Sequence, residues 1–203
     1  MIYLYDILDS TNNYLKERPE AFDNLSVIAA RCQTAGRGQG SNRWESEPGL
    51  NLTFSVLLDF SESPLPLEAS DSILLTEIAT FAIRRFLTDE NIDSRIKLPN
   101  DIYVGGRKIC GILIENKLSG RMVARSIIGA GLNLNQTSFP PELPNPVSAA
   151  MLTGRKYDTD TALRCLETNF REAWILACSM EGREILKESF VSAIGINGNE
   201  ESR

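Results

Sequence analysis

Residues 35–42 read AGRGQGSN, with glycine at three of five successive positions. Such a loop lets backbone amides come close to an anion, and Arg37 and Arg43 add cationic donors beside it. It is not a Walker loop, because Gly-Lys-Ser/Thr is absent, and no GxGxxG opens a helix after it. Taken alone it also reads as a surface loop, with nothing apolar to hold residues 36–43 in place. Three further segments share its polar or glycine-bearing character. Ser10-Thr11-Asn12 sets small hydrogen-bonding groups at a helix start, where an N-cap is the plainer reading. Lys97-Leu98-Pro99-Asn100-Asp101 ends an apolar strand on a lysine and then turns. Gly129-Ala130-Gly131-Leu132-Asn133 ends a strand either with backbone open to close approach or in a bulge.

Composition removes several chemistries. The chain has no histidine, so a Ser-His-Asp triad, a Cys-His dyad and a His-ligated zinc site are all excluded. Cys32, Cys110, Cys165 and Cys178 form no CxxC pair and read as free thiols of a reducing compartment. The net charge of −6 argues against nucleic-acid binding. Within this acidic chain, residues 31–43 and 95–108 are cationic islands, which points to a local anion site. The start, MIYLYDILDST, has no basic leader region. No stretch approaches the ~18 apolar residues of a membrane span. The expectation is a cytoplasmic protein with no membrane partner.

These residues need a scaffold. Ser10 caps a short helix over 11–17, ahead of Pro19. Strands are expected over 26–32 and 50–58, with a loop at 61–66. A long helix is expected over 67–88, with Ile73, Leu74, Glu77, Ile78, Phe81 and Ala82 on its inner stripe. Short strands at 94–98 and 101–104 follow, broken by Pro99. Val104-Gly105-Gly106-Arg107 then makes a hairpin turn into KICGILIE. A strand over 122–134 precedes a proline-rich loop at 136–147. A second long helix spans 159–180, with Leu163, Leu166, Phe170, Trp174 and Ile175 inward. Central strands with flanking helices give an α+β layer fold with a partly antiparallel sheet. No repeat and no long linker divides the chain.

In order, STNNYL (10–15), ARCQTAGRGQGSNRW (30–44), GLNLTFSVLL (49–58), IKLPNDIYVGGRKICGILIE (96–115) and IGAGLNLN (128–135) closely resemble the biotin–protein ligases. The resemblance spans about residues 5–190. It implies an α+β core like that of class II aminoacyl-tRNA synthetases, with a mixed, mostly antiparallel sheet. It also implies a catalytic domain over 1–190 and a polar tail over 191–203, whose GINGNEESR end is expected to fray. The implied activity joins biotin to ATP with Mg²⁺, giving biotinyl-5′-AMP. The biotinyl group then passes to one lysine of a biotin carboxyl carrier domain. A monomer or weak homodimer is expected. The remaining alternatives are a lipoate or octanoate enzyme of the same superfamily, or a catalytically weak biotin-binding module.

By the same resemblance, Ser10, Thr11, Asn12 and Gln33 meet biotin's polar head. Gly36, Arg37, Gly38 and Gly129 border it, and Gly111, Ile112 and Leu113 line its tail. The attacking carboxylate is already a nucleophile, so the first step needs positioning and positive charge rather than a base. Lys97 is the first choice for the reacting carboxylate and α-phosphate, and Arg37 the second. Trp44 and Asn133 fall on the adenine side. Gly38, Gln39, Arg43, Asn100, Asp101 and Lys108 complete the nucleotide set, Arg43 and Lys108 as weaker phosphate candidates. The chain departs from the family in two places. Gln39 stands where the loop often has a second arginine, which leaves an amide donor without charge. Leu98 replaces a common tryptophan, a volume loss at a position expected to be packed. At the ends, no DNA-binding domain has room before residue 10, so no repressor role is expected. Too few residues follow the last long helix for the small β-barrel of most bacterial relatives.

Overall fold

Alternation in the central strands builds a sheet with two unlike faces. The computed structural model describes residues 1–195. The strands are β1 (Ile2–Leu8), β2 (Val27–Gln33), β3 (Leu52–Asp59), β4 (Arg95–Lys97), β5 (Asp101–Val104), β6 (Arg107–Ser119) and β7 (Met122–Leu132). The helices are α1 (Thr11–Glu17), α2 (Ile73–Asp89), α3 (Ala149–Thr153), α4 (Thr159–Ala177) and α5 (Met180–Ala193). One seven-stranded sheet runs β1-β2-β3-β7-β6-β5-β4. Only β1 and β2 pair in parallel; the other pairs are antiparallel.

On one face Phe54, Val56 and Leu58 of β3 and Ile128, Ala130 and Leu132 of β7 join the main core beneath α2 and α4. Phe54 meets Phe170 of α4 edge-on, with centroids 6.0 Å apart. On the other face, Leu15 of α1 packs with Ile28, Leu57 and Ile127. That helix covers only part of the sheet, and the odd-numbered residues of the inner halves of β6 and β7 stay open beside it.

Several sequence expectations change here. α2 begins at Ile73 rather than 67, after a 3₁₀ turn over Ala69–Asp71, so Ile73 sits at the helix start and is exposed. α4 ends at Ala177. Ser179 then caps a separate helix, α5, by accepting from the Gly182 amide at 3.0 Å. Ile175 is exposed because it lies about 100° around the helix from Trp174. The expected tail from residue 191 overlaps the last turn of α5, and residues 196–203 lie outside the described residues. β1, α3 and α5 were not foreseen. Leu98 is half exposed, not packed.

Farther out on the α1 face, Arg125 donates to Asp59 at 2.6 Å and to Glu20 at 2.9 Å. Burial alone would raise the Asp59 carboxyl, but hydrogen bonds from Ser61 and Arg125 hold it below the usual carboxylate range. The stability this contributes is present above the ordinary value near ~4 and is lost as pH falls through the lower folded value. Asp59→Asn is expected to cost about 1–3 kcal/mol at pH 7 in urea unfolding. The gap between the two proteins should begin to shrink below about pH 4 and close as pH falls through the lower folded value. A gap independent of pH would assign the effect to packing.

Candidate active site

The open part of the α1 face holds a cleft of about 270 Å³. Its floor is β6 and β7, where Gly111 pairs with Gly131 and Leu113 with Gly129. Two glycines are needed there for close approach. A Cβ at Gly129 would lie 2.1 Å from Asn12 Oδ1, and one at Gly131 would lie 2.1 Å from Trp44 Cε2. Asn12 and Trp44 therefore rest on bare backbone, two strand residues or about 7 Å apart.

At the Asn12 end the polar groups are already oriented. Ser10 caps α1, its Oγ 3.5 Å from the Asn13 amide that it accepts from. The Thr11 amide donates to Gln33 Oε1 at 2.8 Å. A backbone N–H can only donate, so Gln33 must turn its oxygen there and keep its NH₂ as a donor on the other side. Ser55, fully buried, donates to Asn12 Oδ1 at 2.6 Å and lies 2.7 Å from Thr11 Oγ1.

The other end is cationic and aromatic. β5 and β6 shift register between Ile102 and Tyr103, so that Cys110 opposes Ile102 while Lys108 opposes Tyr103. The extra residue, Ile109, is a bulge, and Ile109 and Cys110 are both fully buried in the core. The bulge turns Lys108 onto the same face as Gly111. Its Nζ lies 2.7 Å from Asp101 Oδ1 and 5.7 Å from the centre of the Trp44 ring. Trp44 Nε1 is buried without a hydrogen-bond partner among the described residues. Asn100 donates to Ile112 O at 2.7 Å and accepts from the Ile112 amide through its backbone carbonyl at 2.9 Å, which fixes the turn before β5.

The glycine loop closes the third side as a small hairpin. Gly38 N donates to Asn42 O at 2.8 Å and Trp44 N to Gly36 O at 3.1 Å. Contrary to the expectation of an unanchored segment, Arg37 is tied to Asn13 and Glu115 and Trp44 packs on the sheet.

Most of the predicted residues meet in this cleft. Ser10, Thr11, Asn12 and Gln33 line the head end, and Arg37, Gly38, Gln39, Arg43 and Trp44 line the loop side. Asn100, Asp101, Lys108, Gly111, Leu113 and Gly129 also face it, and Ile112 borders it through its backbone while its side chain lies in the core. Three predicted residues do not. Lys97 pairs with Asp101 across β4 and β5, but its ammonium leans away over the Tyr103 ring, 4.8 Å from the centroid. Asp101 pairs instead with Lys108. Asn133 is buried and donates to Val147 O at 3.1 Å and Lys108 O at 3.4 Å, so it braces the backbone behind Lys108. Gly36 lies at the loop base, where a Cβ would fall 2.3 Å from Trp44 O. The predicted site residues omit Asn42, Phe54, Pro99, Ala130 and Gly131 of the lining, and Glu115 beside it. Glu115 was legible in principle, as the acid four residues from Gly111 on the same face of one strand.

The described residues hold no cluster of three or more metal-ligating side chains of the His, Cys, Asp or Glu types. Among them, no helix is long and apolar enough to cross a membrane.

The model of the biotin/lipoate A/B protein ligase family matches residues 4–133. The chain belongs to this family. Within it, the bifunctional ligase/repressor BirA of Bacillus subtilis (strain 168) is 31% identical over 210 residues, covering 97% of this chain and 61% of its own length. The biotin–[acetyl-CoA-carboxylase] ligase of Paracoccus denitrificans is 26% identical over 197 residues, covering 88% of this chain and 81% of its own. Among solved structures, the biotin protein ligase from Aquifex aeolicus in complex with biotin and ATP aligns with a TM-score of 0.80 at 25% identity. That alignment covers 95% of this chain and 78% of the other. The mixed sheet with flanking helices is thus the family's catalytic-core fold, as the sequence implied.

Proposed function

We propose that this chain activates biotin with ATP to biotinyl-5′-AMP and passes the biotinyl group to a lysine of a biotin carboxyl carrier domain. The observation that carries this reading is the polarity of the cleft along one axis. Oriented neutral donors stand at the Asn12–Gln33 end, bare backbone and Leu113 in the middle, and Lys108 with Trp44 at the far end. A ligand with a neutral hydrogen-bonding head, an apolar middle and an anionic end fits that order.

In the first step the biotin carboxylate oxygen attacks the α-phosphorus and pyrophosphate leaves. Two anions must approach, so the useful groups are cations already in place. Lys108 holds that position, oriented by Asp101, and takes the role that the sequence assigned to Lys97. Arg37 and Arg43 border the phosphate path, and Gln39 adds a neutral donor. Trp44 offers a flat surface and one unspent N–H. In the second step an acceptor amine attacks the acyl carbon, AMP leaves and a proton is released.

Mg²⁺ favours oxygen ligands and often keeps substrate phosphates among them. Asp101 is the carboxylate facing the cleft, so a nucleotide-borne Mg²⁺ fits better than a protein-caged one. Asp101 and the Asn100 amide oxygen would be its protein partners, and the ion would offset phosphate charge.

Mass spectrometry of the adenylate, with biotin and lipoate offered separately, tests the ligand. Biotin- and ATP-dependent pyrophosphate release is expected, followed by a mass gain on a carrier-domain lysine. Adenylation of lipoate but not biotin would overturn the assignment.

A further inference from the structure

Glu115 lies beside the cleft on β6, on the same strand face as Gly111 and Leu113, with its side chain 18% exposed. Three donors from two separate elements converge on it. Asn12 and Lys16 of α1 each donate at 3.0 Å. Arg37 of the glycine loop donates from Nη1 at 3.0 and 3.2 Å. The same Nη1 also reaches Asn13 Oδ1 at 2.8 Å. Every hydrogen bond of Arg37 thus leaves from one nitrogen, and Nε and Nη2 make none among the described residues. A guanidinium held by one corner keeps its other donors in a fixed plane. Burial alone would raise the Glu115 carboxyl, but the bonds from Asn12 and Lys16 and the charge of Arg37 hold it below the usual range. The carboxylate is therefore charged at neutral pH.

We infer that Glu115 is a positioning residue. It docks the glycine loop onto α1 through Arg37 and presents the free edge of that guanidinium to the anionic part of the ligand. The role in catalysis rests on the reading of the cleft given above, whereas the docking of the loop does not. Glu115 supplies an anchor that glycine cannot, since residues 36–41 carry no apolar side chain. It joins the head end of the cleft to the loop with one side chain.

The test uses Glu115→Gln, which keeps the shape and an acceptor for Asn12 but removes the charge that holds Arg37. In the ligand-free protein, hydrogen exchange over residues 36–43 is expected to rise about tenfold or more, with β3 unchanged. In pyrophosphate-release assays, Glu115→Gln is expected to lower kcat/KM about tenfold in the wild-type background and less than about twofold in Arg37→Ala. A general structural role would lower both backgrounds equally and loosen β3 as well. Either of those results, or loop protection unchanged in Glu115→Gln, overturns the inference. If wild-type protein releases no pyrophosphate with biotin, the functional reading fails, and the exchange measurement still decides whether Glu115 docks the loop.

Discussion

Lys108→Ala is expected to reduce biotin-dependent pyrophosphate release by about 10²–10³, the loss of roughly 3–4 kcal/mol of transition-state stabilisation from one preorganised charge. Lys97→Ala, two strands farther out, should cost less than about tenfold, as a screened charge outside the cleft does. The contrast follows from Asp101, which pairs with Lys108 at 2.7 Å while Lys97 leans over Tyr103. Steady-state release of pyrophosphate, with circular dichroism to establish folding, separates the two. If the losses are reversed, Lys97 swings into the cleft when ligands bind and the assignment to Lys108 is wrong.

Gly131→Ala has the next largest expected effect. The new methyl carbon would sit 2.1 Å from Trp44 Cε2 and 2.5 Å from Nε1, well inside contact distance. Backbone on a paired central strand cannot retreat, so the indole must lift. Overpacking of this kind costs about 1–3 kcal/mol. Because Trp44 ends the glycine loop and floors the cationic end, most of that cost should appear in ligand binding. A rise of about 10- to 100-fold in the ATP concentration needed for adenylation is expected. Trp44 fluorescence should shift toward an exposed indole, and Trp44→Phe should partly restore the double variant. Unchanged ATP dependence with a shifted melting temperature would show that Trp44 supports the fold alone.

The head triplet, the glycine loop and the glycine-bearing strand ends were legible because each breaks a local rule. Polar groups cluster at a helix start, glycines crowd, and strands end without side chains. The identity of the central lysine was not legible. Counted by twos, Lys108, Cys110 and Ile112 share one face, and two of them are plainly apolar, which favours Lys97. Ile109 breaks that count, and nothing in the residue types of RKICG marks it. β1 is hard to read from MIYLYDIL because its run of alternation is short, although Tyr3 and Tyr5 alternate toward Phe22 and Tyr14. α5 was hidden by Ser179, which restarts a helix directly after another stops. Glu115 passed as the end of an apolar strand because its value comes from partners 78 to 103 residues away in the chain.

The bulge at Ile109 works like a shift of reading frame. On its hairpin side, Lys108 faces the cleft from an even position; on its floor side, Gly111 faces it from an odd one. Between them two consecutive residues serve the core. Residues 108–112 thus alternate in blocks rather than singly, and parity does not sort them into chemistry and packing. When the chain is aligned with relatives, a gap slid by one place through RKICG would match the lysine to a core residue. It would leave the overall identity almost unchanged while moving the central charge to the wrong side of the sheet.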